Sequence, residues 1–274
     1  MGELYRGKTV LIAGGTRGIG LACGIEFAKQ GATVWLTHCW SSVSDEEVIA
    51  HFQKQGALTE PRIMKADVCD SDDTMKLLSE IKKHTNKIDA FVCCAGNLKR
   101  IESLKDYSKR SFLKTMEFMA WPIVDYSLMI DEVFGFYPKY IVGMTTYSTV
   151  AFNNYYDFAA AAKASIETLI RYMAVRLEPL GSRINLVRPP LVDTKALEIF
   201  GDSKIQQMKT LLPAGLQMKP EEIGRAVFGL CSGYLDTFNG QILNLDNGSM
   251  FVDNSLGLIE RKDFQEVVQR LSDK

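Results

Sequence analysis

Residues 8–20, KTVLIAGGTRGIG, decide the fold, because an apolar strand-like run ends in glycines that lead into a helix-like segment. Gly14, Gly18 and Gly20 form a G-x3-G-x-G pattern. Glycines at these positions let backbone amides approach a pyrophosphate at the N-terminus of the helix. Many loops use glycine only to make a tight turn. The place of this turn, after the first strand and before a helix, favours a dinucleotide site.

Outward from this stretch, short apolar runs alternate with amphipathic segments along the chain. The pattern predicts strands near Lys8–Ala13, Thr33–His38, Arg62–Ala66, Ala90–Cys94, Tyr140–Thr145, Arg183–Val187 and Gln241–Leu245. It predicts helices near Ile19–Gln30, Asp45–Gln55, Ser71–Thr85, Tyr155–Glu178 and Pro220–Ser232, and two more between Tyr107 and Glu132. Such alternation implies right-handed crossovers and a parallel sheet covered on both faces. We therefore expect one α/β domain over residues 1–274, a doubly wound, Rossmann-type parallel sheet of about seven strands, with its ligand at the carboxyl ends of the strands.

The composition narrows the class of protein. The chain has 274 residues, 46% hydrophobic and 24% charged, with a net charge of −1. That balance gives no basic field for nucleic acid or an anionic membrane, and no apolar stretch is long enough to span a bilayer. Six cysteines without CxxC spacing and three histidines without a ligand pattern indicate free thiols and no metal site. We expect a cytoplasmic protein.

The end of the second predicted strand bears on the choice of dinucleotide. An acidic residue there usually binds the adenosine ribose of NAD. Here the strand ends LTHCWSS, so His38 or its neighbours occupy that place. Arg17 would attract a 2′-phosphate, and Ser41 and Ser42 would hydrogen-bond to it. These residues favour NADPH over NADH; the alternative is that Arg17 is only a solvated surface charge.

Several further motifs, in this order, resemble those of the short-chain dehydrogenase/reductase family. They are Ala13–Gly20, Asp67–Val68, Cys93–Gly96, Thr145–Thr146, Pro189–Thr194, Gly240–Gln241 and Asp246–Gly248. The resemblance covers nearly the whole chain and implies a nicotinamide-dependent reductase. The cofactor-binding residues it implies are Gly14, Thr16, Arg17, Gly18, Ile19, Gly20, His38, Ser41, Ser42, Asp67, Val68, Cys94, Ala95, Gly96, Lys163, Pro189, Val192 and Thr194.

The departures from the family fall on the catalytic residues. The family's Y-x3-K motif would pair Lys163 with position 159, which is Ala159, and the family's helix asparagine corresponds to Met119. Tyr156 precedes Lys163 by seven residues, which on a helix places both within about 20° of one face. This Y-x6-K spacing resembles the enoyl-acyl-carrier-protein reductases of the family. The run VDTKALEIF (residues 192–200) is most similar to the enoyl reductase III subgroup.

The longer reach of Tyr156 suits conjugate reduction, in which charge develops on a thioester oxygen distant from the carbon that accepts hydride. We therefore predict an NADPH-dependent enoyl-thioester reductase of fatty-acid or secondary metabolism. Tyr156 is the electrophilic hydroxyl, Lys163 orients the cofactor and Thr146 supplies a helper hydroxyl. Two alternatives stay open: reduction of a carbonyl by a displaced tyrosine, and a non-catalytic NADP-binding protein. The pairing of Tyr156 with Lys163 can also arise by chance, and Thr146 can simply satisfy local backbone.

Two segments bear on substrate and partners. Residues 195–217 should form a helical lid whose apolar side chains suit an acyl chain. Residues 97–114 carry six basic against two acidic side chains, an excess that would dock an acidic acyl carrier protein, although such runs are often only solvated. Coenzyme A is the other carrier considered. The family resemblance also implies a homotetramer or homodimer.

Overall fold

The computed structural model describes residues 3–40, 43–192, 194, 217–248, 266 and 269. Within them the strands are β1 (Thr9–Ala13), β2 (Thr33–His38), β3 (Arg62–Lys65), β4 (Ala90–Cys93), β5 (Tyr140–Met144), β6 (Arg183–Arg188), β7 (Leu191–Val192), β8 (Gln217–Met218) and β9 (Ile242–Asn244). The helices are α1 (Gly18–Ala28), α2 (Asp45–Lys54), α3 (Ser71–Lys82), α4 (Lys109–Met119), α5 (Trp121–Phe134), α6 (Asp157–Leu177) and α7 (Pro220–Leu230).

Seven strands form one sheet in the order β3-β2-β1-β4-β5-β6-β9, and every pair in it is parallel. The predicted Rossmann-type α/β fold is confirmed. The chain order reverses between β1 and β4, which opens a crevice at the carboxyl ends of these two strands. β7 and β8 pair separately over two residues each.

Both faces of the sheet are covered by apolar side chains. In β1, Leu11 belongs to one buried cluster, whereas Val10 and Ile12 belong to a second cluster on the opposite face. All five β1 residues are buried, as the continuous apolar run predicts for a central parallel strand.

Helix α6 begins later than the sequence predicts. The sequence predicts a start at Tyr155, but the helix begins at Asp157 and Tyr156 is its N-cap. Tyr155 has a positive φ of 76°, so the helical path cannot include it. The prediction that Tyr156 and Lys163 share a helical face is therefore correct for Lys163 only. Tyr156 contributes its carbonyl to the helix but does not have helical φ and ψ angles.

No helix among the described residues is both long and apolar enough to cross a membrane. All six cysteines are free thiols, and Cys23, Cys93 and Cys231 are buried.

Candidate active site

A cavity of about 1140 Å³ lies at the carboxyl ends of the strands, at the crevice between β1 and β4. Every sequence-predicted site residue that the structure describes lines it. These are Gly14, Thr16, Arg17, Gly18, Ile19, Gly20, His38, Asp67, Val68, Cys94, Ala95, Gly96, Thr146, Tyr156, Lys163, Pro189, Val192 and Thr194. Ser41, Ser42 and residues 195–216 of the predicted lid lie outside the described residues, and Gln217 begins β8.

The glycine turn between β1 and α1 has no room for side chains. A Cβ on Gly20 would lie 2.1 Å from the carbonyl oxygen of Gly14, and a Cβ on Gly14 would lie 2.9 Å from the amide nitrogen of Ala95. Gly14 also has a φ of 76° and Gly18 a φ of 55°, which favour glycine. The N-cap residue Arg17 makes no side-chain hydrogen bond to the first turn of α1. Backbone and helix N-terminus thus form a cradle that fits a pyrophosphate.

Residues from the ends of β2 and β3 line the part of the cavity where the sequence predicts adenosine. His38 is half-buried, and its Nδ1 atom is buried without a hydrogen-bond partner within the described part of the chain. Asp67 accepts a hydrogen bond from the amide of Cys69 at 3.0 Å, which fixes its carboxylate. Arg17 is exposed at the rim. An imidazole, a guanidinium and a fixed carboxylate fit the polar half of a nucleotide.

Sequence reasoning missed several lining residues in this region, namely Cys39, Trp40, Val43, Glu47, Val48 and His51. Three of them belong to α2 and three to the connection before it, and the packing of that helix beside the crevice brings the helix residues to the cavity. Trp40 had a local signal, since it stands two residues after the end of β2. It is 61% exposed, and its ring lies 5.5 Å from that of Phe118.

Lys163 projects from the second turn of α6 into the buried side of the cavity. Its side chain is 7% exposed, and its Nζ donates a hydrogen bond to the carbonyl of Met119 at 2.9 Å. Burial lowers the pKa of the Lys163 ammonium, while the nearby thiols of Cys93 and Cys94 oppose this shift. Burial in turn raises the pKa of the Cys93 thiol to about 12, so that thiol stays protonated. Among the described residues that line the cavity, Lys163 thus supplies a buried cation, whereas Arg17 is exposed.

Tyr156 is the tyrosine that shares the cavity with Lys163. Ala159, the position of the family's usual tyrosine, also lines the cavity but is fully buried. Burial raises the pKa of the Tyr156 hydroxyl, so the group remains protonated well past neutral pH. The side chain can therefore donate a proton or hydrogen bond to a bound oxygen.

Thr146 and Tyr147 follow the end of β5. Thr146 lines the cavity, and its hydroxyl also accepts a hydrogen bond from the amide of Ser148 at 3.3 Å. Both interpretations of Thr146, as a site hydroxyl and as a local cap, thus fit its geometry. Tyr147 lies outside the residues that line the cavity, and its hydroxyl donates to Asp246.

A buried ion pair lies directly behind these residues. Glu167, one turn after Lys163, accepts hydrogen bonds at one oxygen from Thr145 at 2.5 Å, from Thr149 at 2.9 Å and from Arg188 at 2.9 Å. Arg188 also donates to Asn244 at 3.1 Å. The pair joins the ends of β5 and β6 to α6, three elements that carry cavity residues.

Comparisons with known proteins agree with this architecture. A family model described as enoyl-(acyl carrier protein) reductase matches residues 13–250. A 1-cyclohexenylcarbonyl-CoA reductase from Streptomyces collinus is 25% identical over 90% of this chain and 88% of its own length. An NAD-dependent glycerol dehydrogenase from Listeria innocua is 26% identical over 88% of this chain and 93% of its own.

Solved structures share the fold. A short-chain dehydrogenase from Burkholderia cenocepacia, determined in complex with NADP, superposes with a TM-score of 0.77 at 21% identity. The match covers 90% of this chain and 99% of the other. The family match over most of the chain, the seven-stranded parallel sheet and the glycine turn lead to one conclusion: the chain is a member of the short-chain dehydrogenase/reductase family of oxidoreductases.

Proposed function

We propose that the protein reduces the C=C bond of an enoyl thioester with NADPH. One observation carries the proposal: the tyrosine that lines the cavity is Tyr156, seven residues before Lys163, while position 159 holds a buried alanine. A tyrosine at 159 would be one helical turn from Lys163; Tyr156 stands nearly two turns from it. This displacement supports a role for the hydroxyl at an oxygen that is not bonded to the carbon being reduced.

The cofactor, when bound, supplies a hydride to the β-carbon of the conjugated system. Tyr156 donates a hydrogen bond to the thioester oxygen and stabilises the enolate charge that develops there, and a proton from solvent then completes the reduction at the α-carbon. Lys163, buried and positively charged, holds the nicotinamide ribose and raises the local potential. Thr146 offers a second hydroxyl after the end of β5. Met119, Met144 and Val192 give this part of the cavity an apolar lining that suits an acyl chain.

For the cofactor, the absence of a carboxylate at the end of β2 and the presence of Arg17 and His38 in the cavity support NADPH. The acidic residues that line the cavity, among those described, are Glu47 on α2, Asp67 after β3 and Glu221 on α7. Titration of the protein with NADPH and NADH, followed by the fluorescence of the reduced nicotinamide, tests the preference. We expect NADPH to bind at least about tenfold more tightly, which corresponds to roughly one charge-assisted hydrogen bond.

The carrier of the acyl group is the next part of the proposal. Lys105, Lys109 and Arg110 are exposed on the segment before and at the start of α4. Two other basic residues are partly neutralised, because Arg100 pairs with Glu102 and Lys114 with Glu117. The remaining positive charge supports docking of an acidic acyl carrier protein. A salt-dependent KM for the carrier-linked substrate, beside a salt-independent KM for the CoA thioester, tests this docking.

We also infer that the protein assembles as a homotetramer or homodimer. The outer face of α6 exposes Leu169, Tyr172 and Val175, the last at 76%. Apolar side chains in one row on a helix are typical of a face that a second subunit covers. Light scattering after gel filtration tests this inference, and a monomer would contradict it.

A second candidate activity is reduction of a carbonyl. It is supported by the similarity to a glycerol dehydrogenase at 26% identity and by the Thr146 hydroxyl beside the cavity. In that reaction the acid and the hydride act on bonded atoms, so Tyr156 would have to approach the nicotinamide more closely.

The test is NADPH oxidation with crotonyl-CoA and acetoacetyl-CoA in parallel, for the wild type and for Tyr156→Phe. Enoyl turnover that falls at least about a hundredfold in Tyr156→Phe, with NADPH affinity retained, supports the proposal. Turnover of only the β-keto substrate supports carbonyl reduction. Tight NADPH binding with no turnover of either supports a non-catalytic nucleotide-binding protein.

A further inference from the structure

The backbone of Tyr156 is held by the following helix on one side only. Tyr156 has φ −97° and ψ 4°, and its only helical contribution is the carbonyl that accepts from the Ala160 amide at 2.6 Å. The preceding residue, Tyr155, has a φ of 76°, a backbone conformation that residues other than glycine rarely adopt. A tyrosine inside the helix would be fixed by backbone hydrogen bonds on both sides. The Tyr156 amide instead donates to the Asn153 carbonyl at 3.3 Å, outside the helix, so the position of Tyr156 depends on the contacts of the segment around it.

One segment contacts the neighbour before Tyr156. Residues 100–107, which we call the strap, follow the stretch 94–98 that lines the cavity. Ile101 and Tyr155 form an antiparallel bridge, with the Ile101 amide donating to the Tyr155 carbonyl at 3.3 Å. The Arg100 guanidinium lies 3.9 Å from the centre of the Tyr155 ring, a close cation–π contact. Ile101 is 2% exposed, which anchors the strap in the protein.

The same strap contacts the two residues after Tyr156. The Tyr107 hydroxyl donates to the Asp157 carboxylate at 2.7 Å. The Tyr107 ring also lies edge-on to Phe158, with the ring centres 5.0 Å apart. The strap thus contacts Tyr155, which precedes Tyr156, and Asp157 and Phe158, which follow it.

The strap is itself braced. One oxygen of Asp106 accepts hydrogen bonds from the amides of Glu102 and Ser103, both at 2.9 Å. Arg100 pairs with Glu102 at 2.8 Å, which orients the guanidinium toward the Tyr155 ring. A braced segment can hold a neighbouring backbone in an unfavourable conformation, whereas a loose loop cannot.

We propose that the strap positions the Tyr156 hydroxyl, with Arg100 and Tyr107 as positioning residues. The inference rests on the proposed function, because it assigns these residues to the tyrosine that serves the thioester. It accounts for how a tyrosine outside the helix keeps a fixed place relative to Lys163. Neither Arg100 nor Tyr107 lines the cavity, so both act through the backbone of residues 155–158.

The test uses two variants and two matched controls. Tyr107→Phe removes the hydroxyl and keeps the ring against Phe158, and Arg100→Gln removes the cation. The controls are Tyr234→Phe, a tyrosine 82% exposed, and Arg62→Gln, an exposed arginine whose guanidinium lies 5.4 Å from the centre of the Trp35 ring. We expect kcat with crotonyl-CoA to fall about three- to tenfold in the test variants, as the loss of one hydrogen bond or cation–π contact predicts. The NADPH dissociation constant and the melting temperature should match those of the controls.

A double-mutant cycle separates positioning from general damage. If Tyr107 acts through Tyr156, adding Tyr107→Phe to Tyr156→Phe should cause no further loss of kcat. A full additional loss in the Tyr156→Phe background would overturn the proposal. A readout without turnover is the ring resonance of Tyr156 in protein labelled with ring-13C tyrosine, assigned by its absence in Tyr156→Phe. It should shift in Tyr107→Phe and Arg100→Gln and stay in place in Tyr234→Phe.

The outcomes distinguish this inference from the proposed function. If Tyr156→Phe abolishes turnover while both test variants behave like their controls, the strap proposal is wrong and the function stands. If Tyr156→Phe keeps full turnover, the role of Tyr156 is wrong and the strap proposal falls with it. If the wild type reduces no thioester, the proposed function is wrong, and the tyrosine resonance alone decides whether the strap fixes Tyr156.

Discussion

The buried pair of Glu167 and Arg188 makes a quantitative prediction about stability. The side chains are 11% and 9% exposed, so each charge depends on protein partners. Replacing Glu167 by Leu leaves the Arg188 guanidinium with Asn244 as its remaining hydrogen-bond acceptor in the described network. Breaking such a pair costs about 3–5 kcal/mol because an uncompensated charge stays buried. We expect Glu167→Leu to lower the free energy of unfolding by about 4 kcal/mol.

The reverse truncation should cost less. After Arg188→Met the Glu167 carboxylate still accepts hydrogen bonds from the hydroxyls of Thr145 and Thr149. Two hydroxyl donors offset part of the lost charge partner, so we expect a loss of about 3 kcal/mol. The double variant Glu167→Leu/Arg188→Met buries no charge and should lie within about 1 kcal/mol of the wild type.

The assay is urea unfolding followed by circular dichroism, at pH 7 and one fixed protein concentration, since assembly of subunits would shift the midpoint. With an m-value of about 3 kcal/mol/M, the Glu167→Leu midpoint should fall by about 1.3 M. Glu80→Leu, which breaks an exposed pair with Lys83, is the control and should cost under about 1 kcal/mol. The reasoning is refuted if Arg188→Met costs more than Glu167→Leu, or if the double variant loses the sum of both.

Three further predictions concern the cavity. Gly20→Ala should abolish NADPH binding or folding, because its Cβ would lie 2.1 Å from the Gly14 carbonyl oxygen. The control Gly229→Ala, whose Cβ would have no atom within 4 Å, should bind NADPH normally in the same fluorescence titration. Burial raises the pKa of the Tyr156 hydroxyl, so the tyrosinate absorbance that is lost in Tyr156→Phe should appear only above the ordinary tyrosine pKa of 10.0; its appearance near pH 8 would contradict this. Burial lowers the pKa of Lys163, which means that the buried charge costs stability. Lys163→Met should therefore raise the free energy of unfolding by about 1 kcal/mol and remove activity. A lower urea midpoint than that of the wild type would contradict this.

Most of the fold could be predicted from the sequence because its signals are local. The apolar run of β1 and the glycines after it need no tertiary information, and the seven strands of the main sheet fall within a residue or two of their predicted bounds, whereas the short strands β7 and β8 were not predicted. The residues predicted to bind the cofactor came mostly from motifs at the ends of these strands. Since parallel strands end at one edge, motifs in sequence order become neighbours in space.

The start of α6 and the far side of the cavity could not be predicted in the same way. Helix propensity allows Tyr155 in a helix; the bridge to Ile101, more than fifty residues earlier, accompanies a left-handed conformation instead. Glu47 and His51 reach the cavity through the placement of α2, which no local motif records. The partnership of Glu167 with Arg188 likewise joins two elements through burial that the sequence does not display.

The position of Tyr156 at the boundary of α6 also matters for protein design. Tyr156 is joined directly to Asp157, the first residue of α6, so the length of the loop before Tyr155 leaves its spacing to Lys163 unchanged. The strap, in contrast, contacts Tyr155 and Asp157 and can be varied without changing any residue of the helix that carries Lys163. Different strap sequences would change the orientation of the Tyr156 side chain while the lysine stays in place. A library of strap variants would therefore make the relative orientation of the two groups proposed for catalysis a selectable property.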